Sequence, residues 1–346
     1  MAHLTNPLVS PSQLFALSAL NSPLPPDLQA SIRYYTARLT QAAGLLLRLP
    51  QDITAQANVL LFRYWVVDPL MQWEFSVRIF PHLPQAWRWV YFEEITDSYQ
   101  DVSAAVLYST AKISASPRSL RSITNVYAYL LSPHSQLSYE IEKKDETAAP
   151  DPESYYLSER EYITFRNRLL NIEGQVLNAL GFNTHVALPH PLAVTYLQTL
   201  DAFSTSKGKQ VAKRTVEYLN TALLSPQMLY LTTQPNALAT AAVYLAAREE
   251  GLKMPEVEWW EVFDVEREEL GFLVVGMGSL EPFARKEMER WGVEKGMISR
   301  EMVRSELERL GLGNVNGGGS KSLMEEEDEE TQMSRLLDEK VAAVET

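Results

Sequence analysis

The sequence predicts an all-α protein built from two related helical domains. Three observations carry that expectation. Apolar side chains recur every three to four residues along most of the chain, few segments alternate with period two, and two distant octapeptides align without a gap. The octapeptides are Ala105–Lys112 (AVLYSTAK) and Ala241–Arg248 (AAVYLAAR), both rich in small residues that let neighbouring helices approach closely.

The elements follow in order. Residues 1–26 carry no charged side chain and end in Pro23, Pro25 and Pro26, the pattern of a flexible leader. A helical pattern runs from Asp27 to Leu49, and after Pro50 it resumes over Gln51–Val67 with Ile53, Ala57, Leu60, Leu61 and Tyr64 at helical spacing. Val102–Ser114 is a small-residue helix in which Val102, Ala105, Val106, Ser109 and Ile113 share one face, as expected of a central helix. Ser116–Pro117 closes it, and a short helix is expected over Leu120–Leu131. Residues 132–158, with Pro133, Pro150, Pro152 and the charge run Glu140–Glu146, read as a linker or surface loop. Glu159–Leu180 is a long helix stopped by Gly181. The second half repeats the plan, with helices from Pro191, over Val211–Leu224 and Asn236–Glu249, and one or two more through Trp291. Val257–Phe263 has strand-like composition but no neighbouring partner strand, so it reads as a turn leading into a helix. From Gly311 the chain is rich in glycine and asparagine, then acidic over Glu325–Glu330; such a segment buries too little to order itself, apart from a short helix near Met333–Val344.

Composition narrows the function. There is no cysteine, which fits a reducing compartment and excludes disulfides and thiolate-bound zinc. The net charge is −13, of which residues 313–346 supply −6 and the body −7. That sign repels a phosphate backbone, so direct nucleic-acid binding by the folded part is not expected. Leu14–Leu20 is too short for a membrane span, and Tyr218–Ala247 is interrupted by Pro226, Pro235 and polar side chains, so no membrane association is expected and the chain reads as soluble and intracellular.

A search for chemistry finds no catalytic constellation, cofactor motif or metal site. The five histidines form no i, i+4 pair on a predicted helix, and His185 and His190 flank Pro189 in an apparent loop. Gly276-Met-Gly278 and Gly317–Lys321 follow no strand and lack the remaining residues of phosphate-binding loops. Ser10, Ser22, Ser116, Ser132 and Ser225 precede proline; they read as caps and turns, or as phosphorylation sites.

The exception is a pair of charges. On the helix Glu159–Leu180 the apolar stripe Leu169, Leu170, Ile172, Val176, Leu177, Leu180 is interrupted by Glu173, while Lys112 follows Ala105 by two turns on the central helix. A lone charge inside such a stripe costs several kcal/mol. Three arrangements relieve it: Lys112 against Glu173, both against a bound chain, or each at a stripe edge reaching water.

These residues resemble the cyclin family, its transcriptional branch and cyclin L above all. The likeness spans residues 28–68 and 101–292 and recurs in order: Leu49-Pro50-Gln51, Val59–Tyr64, Val102 to Ile113, Pro117–Ile123, Asn125-Val126-Tyr127, Ile172–Phe182, His185-Val186, Pro189-His190-Pro191, Gln234-Pro235, Tyr244–Arg248 and Trp259-Trp260. The resemblance implies two tandem five-helix cyclin boxes. The first would cover 27–183, with an insertion at 70–100 and a loop at 132–158, and the second 184–292, followed by a mostly disordered tail over 293–346. It further implies a non-catalytic, nuclear subunit, without cofactor, that binds and activates a cyclin-dependent protein serine/threonine kinase. The partner would be a PITSLRE-type or other transcriptional kinase, acting in RNA polymerase II transcription or pre-mRNA processing. Lys112 and Glu173 would be the family's kinase-facing pair, with Ile113 and Leu177 as adjacent apolar contacts.

The chain departs from the family at three places. Lys112-Ile113-Ser114-Ala115 stands where Lys-Ile-Glu-Glu is expected, an acidic tail replaces an Arg-Ser-rich one, and Leu70–Gln100 has no counterpart and reads as an added packing element or as translated intron. A promoter-binding scaffold resembling transcription factor IIB also uses two such repeats, but it would bring a cysteine zinc ribbon and a basic body.

Overall fold

The computed structural model describes residues 5–10, 12–14, 24–67, 99–132, 156–292, 298 and 300–310. Among them every regular element is helical. The chain divides into two compact units, the first holding α1–α11 and the second α12.

In the first unit α1 (Pro26–Leu46), α2 (Gln51–Val67), α3 (Tyr99–Ile113), α4 (Leu120–Leu131) and α5 (Glu159–Ala179) form one packing group. α3 is its centre, touching the other four, with Ala104, Ala105, Leu107 and Ala111 out of contact with solvent. A second group consists of α6 (Pro189–Thr199), α7 (Gly208–Ala222), the short α8 (Leu229–Thr232), α9 (Pro235–Glu250), α10 (Arg267–Gly278) and α11 (Leu280–Trp291). Here α9 is the hub, packed against α6, α7, α8 and α10 through Ala237, Ala239, Ala241, Ala242, Ala246 and Ala247. The two aligned octapeptides therefore lie on the two central helices. Small residues are needed there because a helix surrounded by four others has no room for larger ones.

Local signals explain the element ends. α4 starts at Ser119, whose hydroxyl accepts from the Ser122 amide. α5 starts with a reciprocal capping box between Ser158 and Glu161. It stops at Gly181 (φ 56°), where the Phe182 and Gly181 amides fold back onto the carbonyls of Leu177 (2.8 Å) and Asn178 (3.0 Å). α1 and α2 meet at Gly44, where a Cβ would stand 2.3 Å from Thr54 Oγ1. Arg118, just after α3, donates to the carbonyls of Leu47 (2.8 Å) and Arg48 (2.9 Å), two acceptors orphaned at the end of α1. A buried hydroxyl chain ties α1, α3 and α4 together: Thr40 Oγ1 to Ser103 Oγ, and Ser103 Oγ to Tyr127 OH, each 2.7 Å. Burial pushes the Tyr127 phenol well above its ordinary range, so it stays protonated as part of that chain.

Most predicted elements lie within two or three residues of their expected ends. Val257–Phe263 is the expected turn, ending in a 3-10 turn over Glu261–Phe263 that leads to α10. Several expectations need correction. The flexible leader is anchored over residues 5–10: Asn6 is buried and the Val9 amide donates to Leu231 O at 2.8 Å. Ile113 does not share the buried face of α3; it is 60% exposed, because the helix ends there and the face has turned outward. His190 lies in the first turn of α6, not in a loop, and its Nε2 pairs with Asn220 Oδ1 at 3.0 Å. Arg300–Arg309 is a helix, α12, in a stretch counted with the disordered tail; Arg, Glu, Met and Leu, all strong helix formers, fill most of it, and Glu306 pairs with Arg309 at 2.6 Å. The insertion at 70–98, most of the 132–158 loop, the acidic run Glu325–Glu330 and the segment Met333–Val344 lie outside the described residues.

Candidate functional site

α3 and α5 cross at the edge of the first group, and Lys112 and Glu173 meet at that crossing. Lys112, in the last turn of α3, brings Nζ to 3.3 Å from Glu173 Oε1 and 3.5 Å from Oε2. A cation near a helix C-terminus is electrostatically favoured there. The two halves of the pair differ in exposure: the Glu173 side chain is 8% accessible and that of Lys112 53%. Glu173 is thus the fixed floor and Lys112 the solvent-facing lid. Ser109, one turn before Lys112, shares its single hydroxyl proton between Glu173 Oε1 at 3.2 Å and its own helix carbonyl at Ala105, 2.9 Å. The Lys112 ammonium also lies 5.4 Å from the Tyr108 ring centroid, a distance at which the ring face attracts a cation.

Of the three arrangements open at the level of sequence, the geometry selects direct pairing and leaves one side of the cation free for a second partner. Ile113 projects beside it as an exposed apolar group, and Leu177, one turn beyond Glu173 on α5, is half-buried. All four predicted site residues therefore gather around the α3–α5 crossing. The combination is a buried acid held by a serine hydroxyl, a tethered cation and two apolar side chains.

Sequence reasoning missed the second lock between the same helices. Arg168 Nη2 reaches Asp101 Oδ1 at 3.0 Å, with Asp101 buried in the first turn of α3. The partners lie 67 positions apart and neither interrupts an apolar stripe, so no local pattern announced them. Ser109 gave no signal either, since a serine on the buried face of a helix ordinarily bonds only its own backbone. Among the described residues no cluster of His, Asp or Glu could hold a metal ion, and no helix is long and apolar enough to cross a membrane.

The fold defined by these two helical groups is the cyclin fold. A chain of the yeast RNA polymerase II CTD kinase CTDK-1 complex superposes with a TM-score of 0.57, over 89% of this chain and 84% of that one, at 11% identity. No family model matches. Sequence relatives are human Cyclin-L2, 27% identical over 316 residues (91% of this chain, 52% of the relative), and chicken Cyclin-L1, 27% identical over 316 residues (91% and 51%). An uncharacterised cyclin-L1-like protein of Schizosaccharomyces pombe is 31% identical over 236 residues, 67% of this chain and 76% of that protein. The chain belongs to the cyclin family and is cyclin-L-like. It spans about half the length of the human and chicken relatives.

Proposed function

We propose that the chain is a regulatory subunit that docks on a cyclin-dependent protein serine/threonine kinase and holds it in its active conformation. The single observation that carries the reading is the Lys112–Glu173 pair at the α3–α5 crossing, flanked by Ile113 and Leu177. A kinase becomes competent when its movable helix swings inward and its own Lys–Glu pair engages the ATP phosphates. A surface that binds the inward position better than the outward one shifts that equilibrium by its difference in affinity and needs no catalytic group of its own. In this arrangement Ile113 and Leu177 bury against the movable helix, and Lys112, held by Glu173, presents its remaining donors to it.

The two cyclin boxes are assigned to 27–183 and 184–292, grouped around α3 and α9. The likeness to the L-type cyclins supports a nuclear role in RNA polymerase II transcription or pre-mRNA processing, with a PITSLRE-type or related transcriptional kinase as partner. The test is affinity for such a kinase alongside the helical circular dichroism signal. Glu173→Ala is expected to weaken binding by roughly tenfold or more, equivalent to about 1.4 kcal/mol, with the spectrum nearly unchanged. Wild-type affinity in that variant would remove the assignment. Recovery of polymerase-associated DNA factors without any kinase, using the tagged chain, would favour a scaffold instead.

A further inference from the structure

Between the two helical groups lies a polar slot, filled by the chain's own residue Asn6. The Asn6 side chain donates from Nδ2 to Ala187 O (2.8 Å) and accepts at Oδ1 from the Ala187 amide (2.9 Å) and from Arg63 Nη2 (3.1 Å). Its backbone is read just as fully: Gln234 Oε1 accepts from the Asn6 amide (3.0 Å) and Gln234 Nε2 donates to Asn6 O (3.1 Å). Three residues on, the Val9 amide donates to Leu231 O at 2.8 Å.

The walls of the slot belong to the helical body and have supports besides the strap. Arg63, on α2, is also tied through Nη1 to His185 O at 2.7 Å. Ala187 sits between α5 and α6, close to Thr184, whose carbonyl takes a bond from Gln56 Nε2 at 2.7 Å. Gln234 is the residue that opens α9, held in extended geometry ahead of Pro235. The slot also explains why the side chain is an amide. One oxygen must take two donors while a neighbouring atom donates to a carbonyl. A carboxylate would press its charge against Ala187 O, and alanine or serine is too short to reach both backbone groups of Ala187.

We propose that this slot is a peptide-binding site that reads asparagine in a non-helical segment. Residues 5–10 occupy it in cis, and an asparagine-bearing segment of a partner protein binds there by displacing them. Recognition rests on main-chain pairing for affinity and on the amide for selectivity, and it is independent of the kinase-docking pair.

The test uses the full-length chain carrying Asn6→Ala and a fluorescent peptide of the native strap, Thr-Asn-Pro-Leu-Val-Ser, followed by anisotropy. The peptide is expected to saturate this variant and to bind the unaltered chain at least ~10-fold more weakly, because the tethered strap competes at high effective concentration. The same peptide with alanine for asparagine should bind the variant at least ~10-fold more weakly, and adding Gln234→Ala should abolish binding while the thermal melt stays cooperative. Should Asn6→Ala fail to fold, the unaltered isotope-labelled chain serves: millimolar peptide must shift the Asn6 side-chain amide and Ala187 backbone signals, and the alanine peptide must not. No saturable binding, equal binding of the two peptides, or failure of peptide to move those signals would overturn the proposal. So would Asn6-dependent dimerisation of the unaltered chain without peptide capture, which would make the occupant a second copy.

Discussion

The central helices α3 and α9 begin from the same octapeptide pattern and finish differently. At the end of α9 the matching cation is Arg248, which makes no ion pair among the described residues, and the next residue, Glu249, pairs across the surface with α7. Glu249 Oε2 accepts from Arg214 Nε at 2.7 Å and from Tyr218 OH at 2.8 Å, while Gly251 and the Lys207 ammonium close the helix end. At the end of α3 the cation is paired with a buried acid and the next residue, Ile113, is left uncovered. One copy has closed its edge onto itself, and the other has pinned its charge in place while leaving apolar surface free. A duplicated element can thus keep its packing face and still diverge in the last turn, where neighbours rather than helix propensity decide what is bound.

Five measurements would break or sharpen this contrast. The largest effect is expected where the helices are alike: Ala105→Leu and Ala241→Leu both insert volume at fully buried positions and should each cost about 1–3 kcal/mol in urea unfolding. Tolerance at one of them alone would show that the hubs are not equivalent. Next, Lys112→Ala strands Glu173 with Ser109 as its remaining partner and is expected to destabilise by about 1–2 kcal/mol, the burial cost being discounted because Lys112 is half-exposed. Arg248→Ala should change stability by less than about 0.5 kcal/mol and leave kinase affinity untouched. Ser103→Ala breaks the hydroxyl chain and should cost about 1 kcal/mol; the aligned position on α9 is already Ala239, so no such chain exists there. The smallest effect concerns pH. The bonds from Arg214 and then Tyr218 hold the Glu249 carboxyl below its ordinary range. Their contribution is therefore present above the unfolded carboxylate pKa and is lost as pH falls through the lower folded value. Site-resolved NMR should find Glu249 titrating at lower pH than an exposed glutamate of this chain.

Much of this was legible because helices advertise themselves locally. The periodic apolar residues, Gly181 and the proline breaks lie within one turn of what they specify. The Lys112–Glu173 pair was legible for a related reason: each charge broke an otherwise apolar stripe. Asp101–Arg168 broke no pattern, and Ile113 looked buried because periodicity carries no information about where a neighbouring helix stops. The anchoring of Asn6 was beyond reach, since its partners Arg63, Ala187 and Gln234 are scattered through the chain and an uncharged, proline-bounded leader carries no period at all.

The Arg118 side chain has a mechanical consequence. One guanidinium grips both carbonyls at the close of α1 from a position six residues after Lys112, so the corner joining α1 to α2 and the corner joining α3 to α4 are fastened by one side chain. Arg118→Ala is therefore expected to unfasten these two corners and return the carbonyls of Leu47 and Arg48 to water, with the α3 packing face left in place.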